Sequence, residues 1–308
     1  MSNPLDISDE ISRQLNRNAP VVALESSVIA QGLPRPTNVE AALAMEEQVR
    51  EAGAVPATIG VIEGKIRVGL SKDEIEKLAA GKAEKLASRD LPYAVFRNLD
   101  GGTTVSATAR IAAAAGICVM ATGGIGGVHR GHTETNDISA DLWELLRTRV
   151  LVVCSGVKAV LDVPATAEWL ETHSVPVYGY GTDELPCFYY CSSGVKVPKV
   201  DSVSDVAELV RLSVGKMGMA CGIVVAVPIP KRDEINARDA IEKAAAEAAH
   251  KGISGKELTP WLLNRVGDLT GGKSLKANVA LLKNNAHTAA EIAVEVAQQE
   301  HGRMGFTL

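Results

Sequence analysis

The chain has 308 residues, a formal net charge of −5 and a hydrophobic content of 46%. A mildly acidic chain without a basic stripe argues against nucleic acid as a partner. No apolar run approaches the roughly 20 residues that cross a bilayer, and the first residues predict no signal peptide. Three of the five cysteines lie in or beside strand-like apolar runs, which is typical of thiols in a reducing compartment, so we expect a cytoplasmic protein with no membrane partner.

Apolar strand-like segments alternate with amphipathic helical ones along most of the chain, which is typical of a sheet covered by helices. In the first part of the chain the sequence predicts a strand at 20–24, a helix at 38–50, a hairpin of strands 57–62 and 66–70, a helix that begins at 71–74 and a helix at 103–115. In the middle it predicts a strand at 117–120, a helix at 141–147, a strand at 150–154, a helix at 165–173 and a strand at 175–180. The last part is predicted to contain a helix at 206–216, a strand at 222–227, and helices at 239–251, at 261–269 and from 274. These elements predict an α/β protein, a three-layer α-β-α sandwich around a mixed, largely parallel sheet.

We expect one catalytic domain over residues 1–308, with a short N-terminal extension at 1–19 and a helical C-terminal part from about residue 237. Residues 183–201 are rich in Pro, Ser, Gly and aromatic residues. This longest irregular segment is interpreted as a surface loop or a lid over the site, and an oligomer contact is an equal alternative.

The most informative segment is the glycine-rich run ATGGIGGVHRG at 121–131, with four glycines in five positions. Because glycine has no side chain, the backbone can adopt conformations that direct several N–H groups at one anion. His129 and Arg130 add hydrogen-bond donors and positive charge. The run fits neither G-x-G-x-x-G nor G-x-x-x-x-G-K-[ST], which disfavours a dinucleotide-binding domain and a P-loop kinase. It therefore predicts an anion site, and a tight turn without a ligand is the alternative.

Two carboxylates, Asp137 and Asp141, follow this run four residues apart. A helix that starts near Ser139 places them on one face. Beside an anion site they suggest a hard divalent metal ion such as Mg²⁺ or Mn²⁺. The alternative is that they are N-terminal helix acids, stabilised by the helix dipole, with Ser139 or Asp137 as the N-cap.

Two further residues lie where predicted strands end. Lys158 ends the apolar run 150–158 and Glu25 ends the first strand. The carboxyl ends of buried strands face the crevice where α/β proteins bind ligands, so Lys158 is placed to attack a sugar carbon and Glu25 to act as a general acid. A phosphate-binding or solvated lysine and an ion-paired glutamate are the alternatives. Lys85 and Arg89 either belong to a surface charge run or contact a phosphate.

Taken together, these residues resemble the pseudouridine-5′-phosphate glycosidase family, also called the indigoidine synthase A-like family. The similarity extends from about residue 20 to 297. It is carried by VVALES at 21–26, GAVPAT at 53–58, GLS at 69–71, SRDLP at 88–92, GTTV at 102–105, the glycine-rich run, DISADL at 137–142 and LTGG at 269–272. Several long matches in one order are more specific than any single motif.

The resemblance implies reversible cleavage of the C–C bond of pseudouridine 5′-phosphate to uracil and ribose 5-phosphate. It implies that Lys158 is the nucleophile, forming a Schiff base with ring-opened ribose, that Glu25 is the proton donor and that Asp137 holds one Mn²⁺ per subunit. The implied substrate contacts are Lys85, Val105, Ser139, Ala140 and Asp141, with His129 and Asn278 also in the site; Arg130 is our own candidate from the glycine-rich run. A homotrimer is expected.

The chain departs from the family pattern at a few positions. Gln31 stands where the family has His, Val227 where it commonly has Asn, and Lys85 aligns only across a two-residue deletion. Two other functions stay open: a Schiff-base lyase or aldolase acting on another sugar phosphate, and a non-catalytic sugar-phosphate-binding protein. The first would share Lys158, whereas the second would leave Lys158 and Glu25 dispensable.

Overall fold

A computed structural model describes residues 5–304. The strands are β1 (Leu5–Ile7), β2 (Val21–Leu24), β3 (Val55–Ile62), β4 (Lys65–Val68), β5 (Glu84–Leu86), β6 (Gly101–Thr103), β7 (Val119–Ala121), β8 (Leu151–Cys154), β9 (Val177–Tyr180), β10 (Lys199–Val200) and β11 (Ile223–Ala226). The helices are α1 (Asp9–Leu15), α2 (Thr37–Glu51), α3 (Lys72–Ala79), α4 (Leu91–Phe96), α5 (Val105–Ala115), α6 (His132–Thr135), α7 (Ala140–Arg147), α8 (Val163–Thr172), α9 (Val203–Val210), α10 (Arg238–His250), α11 (Leu258–Leu269) and α12 (Lys273–Met304).

The strands of the described residues form one 11-stranded mixed sheet, whose main path runs β1-β4-β3-β2-β7-β8-β11-β9-β10. The antiparallel pairs in it are β3 with β4 and β3 with β6. Every residue of β2, β8 and β11 is buried, as expected for parallel strands covered on both faces. Helix α12 packs along β2, β7 and β8 together with α2, and α5 packs with α7. The predicted fold class is confirmed.

The path of the chain creates a crevice beside the middle of this sheet. From β2 the chain continues to its neighbour β3 on one side, whereas from β7 it continues to β8 on the other. Because β2, β7 and β8 are parallel, their carboxyl ends meet at one edge. Ligands of open α/β sheets bind where the strand order reverses in this way, so we expect the site at the segments that follow β2, β7 and β8.

Some short elements differ from the sequence-based expectations. The predicted N-terminal extension contributes β1, paired with β4, and α1, while residues 1–4 lie outside the described part. The predicted surface charge run contains β5, which pairs with β6 at the position where a helix was expected to begin. The irregular segment 183–201 ends in β10, which pairs with β9. Strands of two or three residues are too short to show a periodic pattern.

Within residues 5–304, no helix combines the length and the apolar character that a membrane crossing requires.

Candidate active site

Glu25 is the first residue after β2, and its side chain is buried, with 4% of the residue exposed. Its Oε1 accepts a hydrogen bond from the hydroxyl of Thr122, and its Oε2 accepts one from the hydroxyl of Ser27. Thr122 directly follows β7, so the first bond crosses the point where the strand order reverses. With a donor on each oxygen, the carboxylate is fixed in position and orientation.

Lys158 lies after β8, beyond a tight turn at Gly156. That glycine has φ +70°, and a Cβ there would lie 1.9 Å from the carbonyl oxygen of Pro186, so another residue does not fit. The N–H of Lys158 donates to the carbonyl of Ile125 at 3.1 Å, which joins the turn to the glycine-rich run. The side chain of Lys158 is half-buried, and no hydrogen bond or ion pair engages it within residues 5–304. Its amine is therefore available to a ligand.

Lys158 lines two adjacent pockets, here called the apolar half and the polar half of one crevice, and Ser27, Lys85 and Thr259 line both with it. The apolar half is further lined by Glu25, Val28, Gln31, Gly32, Gly123, Gly124, Phe188, Pro260, Leu263, Asn278 and Leu282. The polar half is further lined by Ala87, Arg89, Asp90, Thr104, Gly126, His129, Asp137, Ile138, Ser139, Ala140, Asp141, Gly255 and Lys256. The crevice thus suits a ligand with one flat, apolar end and one anionic end.

Lys85 brings a second lysine to the junction of these halves. It lies in β5, is half-buried, and donates from Nζ to the carbonyl of Lys256 at 3.3 Å. Burial, and next the positive charge of Lys158, lower the pKa of Lys85 to about 8. Because two ammonium groups repel each other here, a bound anion would stabilise both.

His129 lies in the polar half with little exposed surface, at 9%. Its N–H donates to the carbonyl of Asp137 at 3.0 Å, and its Nδ1 lies 3.8 Å from Asp137 Oδ2. Burial lowers the pKa of His129; the carboxylate of Asp137 opposes this effect, and the charges of Lys85 and Lys158 add to it. At neutral pH the imidazole is therefore neutral, able to donate from one nitrogen and accept at the other.

Asp137 and Asp141 do not share a helix face, so this part of the sequence prediction is wrong. Ser139 is the N-cap of α7 and accepts from the N–H of Asp141 at 3.2 Å, which leaves Asp137 outside the helix. The buried carboxylate of Asp141 accepts from the N–H groups of Ser106 at 2.9 Å and Gly126 at 2.8 Å. Both of its oxygens are thus used to join α5 to the glycine-rich run. No group of three or more His, Cys, Asp or Glu residues suited to a metal occurs in the described part of the chain.

The glycine-rich run owes its composition to close packing. A Cβ on Gly126 would lie 2.2 Å from Ser139 Oγ, and one on Gly127 would lie 2.3 Å from Thr166 Oγ1. Several N–H groups of the run are used by the protein itself, since Ile125, Gly126, Val128 and His129 donate to Gly156, Asp141, Thr166 and Asp137. These four N–H groups are therefore not available to an anion, and the lysines supply positive charge in the polar half.

Of the other predicted site residues, some line the crevice and some do not. Ser139 and Ala140 line the polar half, and Asn278, on α12, lines the apolar half. Val105 is buried at the first position of α5 and lines neither half. Arg130 is exposed and lines a separate pocket with Cys187, Tyr190 and Arg238, so the structure does not bring it to the crevice.

Sequence reasoning missed several polar groups around the crevice. Asn285 is buried on α12, donates to the carbonyl of Thr122 at 2.8 Å and accepts from Ser155 Oγ at 3.2 Å, so it ties together the segments after β7 and β8. Its spacing of seven from Asn278 puts two asparagines on one helix face, which is a signal present in the sequence. Lys256, whose Nζ donates to Asp90 Oδ1 at 2.9 Å, is far away in sequence and gives no local signal.

The sequence profile described as indigoidine synthase A like protein matches residues 10–295. The chain belongs to this family. A relative from Caldanaerobacter subterraneus subsp. tengcongensis is 50% identical over 301 residues, 96% of this chain and 98% of the relative, and is named pseudouridine-5′-phosphate glycosidase. A relative of the same name from Clostridium botulinum is 49% identical over 300 residues, 96% of this chain and 97% of the relative.

A solved structure has the same fold. The crystal structure of the prealnumycin C-glycosynthase AlnA in complex with ribulose 5-phosphate superposes with a TM-score of 0.90 at 38% identity, covering 98% of this chain and 100% of that chain. The resemblance stated from the sequence motifs is thereby confirmed.

Proposed function

We propose that the protein is a pseudouridine-5′-phosphate glycosidase, which reversibly converts pseudouridine 5′-phosphate and water to uracil and ribose 5-phosphate. The observation that carries the proposal is the placement of Lys158, with no partner among the described residues, between an apolar half that contains Glu25 and a polar half that contains Lys85. The names of the two relatives support the same reaction.

The two halves of the crevice match the two ends of this substrate. The pyrimidine base would lie in the apolar half, between side chains such as Val28, Phe188 and Leu263. The phosphate would lie near Lys85 and Lys256 in the polar half. The ribulose 5-phosphate complex of AlnA supports a pentose 5-phosphate as the ligand class. Binding energy from the phosphate, remote from the reacting bond, would hold C1′ against the amine of Lys158.

A lysine suits this reaction better than a second carboxylate does. Ordinary glycosidases protonate a leaving atom that carries a lone pair, whereas here the leaving atom is carbon C5 of the base. Attack of the neutral Lys158 Nζ on C1′ breaks the bond to the ring oxygen and opens the ribose, and the ring oxygen takes up the proton that the nitrogen loses. Glu25 then protonates C5, the nitrogen lone pair forms C1′=N, and the electrons of the C1′–C5 bond restore the C5–C6 double bond of uracil. Water hydrolyses the iminium, which releases ribose 5-phosphate, regenerates the amine and returns one proton to the Glu25 carboxylate.

Release of uracil tests the reaction. Incubation with pseudouridine 5′-phosphate should give equal amounts of uracil and ribose 5-phosphate by chromatography, and Lys158→Ala should remove turnover. A Schiff-base lyase or aldolase would leave pseudouridine 5′-phosphate intact and act on another sugar phosphate. A binding protein would retain the ligand without turnover. Either result would refute the proposal.

A divalent cation forms a further part of the proposal, with Asp137 as its protein ligand. The Asp137 carboxylate is half-buried in the polar half, and among the described contacts its side chain is held only by the 3.8 Å contact of Oδ2 with His129 Nδ1. A single carboxylate fits Mg²⁺ or Mn²⁺, which keep several waters and share oxygens of a bound substrate. A bound Mn²⁺ would offset negative charge on the substrate. Chelation should abolish uracil release and Mn²⁺ restore it; turnover that survives chelation would contradict this role.

A homotrimer in the cytoplasm completes the proposal. Sedimentation equilibrium should give three times the monomer mass of 32.4 kDa. A monomer at micromolar concentration would contradict the trimer.

A further inference from the structure

Gln31 holds an unusual buried acceptor beside the crevice. It lies in the π-helical turn Val28–Gly32 and lines the apolar half. Its Nε2 donates to the carbonyl of Ala83 at 2.6 Å. Because a carbonyl oxygen only accepts, this bond decides which end of the carboxamide is the nitrogen and leaves Oε1 as the free end. Oε1 is buried and has no hydrogen-bond partner within the described residues.

An unpaired buried carbonyl is unfavourable, and proteins retain few of them. In the described part of the chain, the other buried side-chain nitrogen and oxygen atoms without a hydrogen-bond partner are on Arg67 and His287, which do not line the crevice. The bond to Ala83 also restrains the carboxamide of Gln31 from turning toward another donor. Because Gln31 lines the apolar half, a ligand bound in the crevice is a source of the missing donor.

The surroundings of Gln31 indicate what kind of molecule supplies this N–H. Val28, Phe188 and Leu263 give the apolar half hydrocarbon walls that include one aromatic ring, and Asn278 adds one more carboxamide. A planar heterocycle with polar edges fits this lining. A pyrimidine attached through C5 carries two ring N–H groups, N1–H and N3–H, whereas one attached through N1 carries only N3–H.

We propose that Gln31 Oε1 accepts a hydrogen bond from a ring N–H of the pyrimidine base, and that Gln31 is thereby a specificity-determining residue. This inference rests on the proposed function, because it assigns the base to the apolar half. Gln31 binds the base and takes no part in the chemistry at C1′. Loss of this side chain is therefore expected to weaken the binding of uracil and to leave the binding of ribose 5-phosphate unchanged.

The test uses the synthesis direction, in which the two substrates are varied separately. Gln31→Met keeps the side-chain length and removes the acceptor. We expect the KM for uracil to rise about tenfold and the KM for ribose 5-phosphate to stay within twofold of wild type. Borohydride trapping of ribose 5-phosphate on Lys158 should be unchanged, because no base is needed for it. Gln48→Met, on α2 and outside the crevice, is the matched control.

Methylated bases give a second measurement that does not depend on the variant folding. In wild type, either 1-methyluracil or 3-methyluracil should have a KM at least tenfold above that of uracil, and which of them does identifies the N–H that is bound. The penalty for that methyl group should shrink in Gln31→Met, as in a double-mutant cycle.

Several results would overturn the inference. An unchanged KM for uracil in Gln31→Met would overturn it. KM values for both methylated bases equal to that of uracil would also overturn it. An equal rise in both KM values with a lower melting temperature would show a structural role instead. Failure of the wild-type protein to join uracil to ribose 5-phosphate would refute the proposed function itself. Failure of the proposed role of Gln31 can therefore be distinguished from failure of the proposed function.

Discussion

Affinity for a phosphorylated ligand should fall as the pH rises from 7 to 9, because Lys85 loses its proton in this range. Burial and the neighbouring charge of Lys158 lower the pKa of Lys85 to about 8. An ordinary lysine stays charged up to about pH 10. Only the ammonium form attracts a phosphate dianion strongly, and the phosphate itself remains a dianion above about pH 6.

The size of the effect follows from this pKa. With a value of about 8, roughly nine-tenths of Lys85 is charged at pH 7 and roughly a tenth at pH 9. If the ligand binds the charged form, its dissociation constant should rise about tenfold across these two pH units. Arginine stays charged throughout this range, so Lys85→Arg should show a nearly constant dissociation constant.

The assay is titration calorimetry with ribitol 5-phosphate at pH 7, 8 and 9. This ligand has no carbonyl group and forms no Schiff base, so the measurement reports phosphate binding alone. A wild-type dissociation constant that stays level from pH 7 to 9 would refute the reasoning. The same rise in Lys85→Arg would show that another group is responsible.

Three other predictions follow from the same geometry. Lys85→Met should raise the free energy of unfolding of the unliganded protein by about 1–3 kcal/mol at pH 7, measured by urea denaturation, because charging this buried lysine is costly. The lowered pKa means that the folded state binds fewer protons than the unfolded state between pH 8 and 10.5, so the gain should vanish as the pH approaches 10.5; a gain that is equal at pH 7 and 10.5 would contradict this cause. Thr122→Val removes one hydrogen-bond donor from Glu25 and should lower kcat about tenfold, whereas Thr122→Ser keeps the donor and should keep kcat near the wild-type value. Borohydride trapping of ribose 5-phosphate should stay intact in both variants, and equal kcat values for the two variants would disprove the positioning role. Gly126→Ala forces a Cβ against Ser139 and should cost about 1–3 kcal/mol of stability by thermal denaturation; unchanged stability would show that close packing does not require this glycine.

The sequence predicts most of the fold because the main strands are continuous apolar runs. β2, β8 and β11 are each buried throughout, which requires apolar residues at every position. β1, β5 and β6 have three residues each and were missed, since their pairing depends on neighbours that are distant in the chain. Strand order is likewise a tertiary property. It brings together the ends of β2, β7 and β8, which no local pattern specifies.

Part of the site was predictable for a related reason. Glu25 and Lys158 each follow a buried strand, so their place at the crevice follows from topology rules. The close packing of the glycine-rich run was not predictable, because its cause lies elsewhere in the chain, in the side chains of Ser139 and Thr166 that approach the backbone of Gly126 and Gly127. The bonds from the N–H groups of Ser106 and Gly126 to the carboxylate of Asp141 likewise gave no local signal in the sequence. Partners of this kind become visible only in three dimensions.

Covalent trapping tests the central claim, that Lys158 attacks the sugar. The protein is incubated with ribose 5-phosphate and borohydride, and its peptides are mapped by mass spectrometry. We predict one reduced pentose phosphate adduct, located on Lys158, that disappears in Lys158→Ala and persists in Lys85→Arg. An adduct on another lysine, or no adduct in a preparation that releases uracil, would contradict the account.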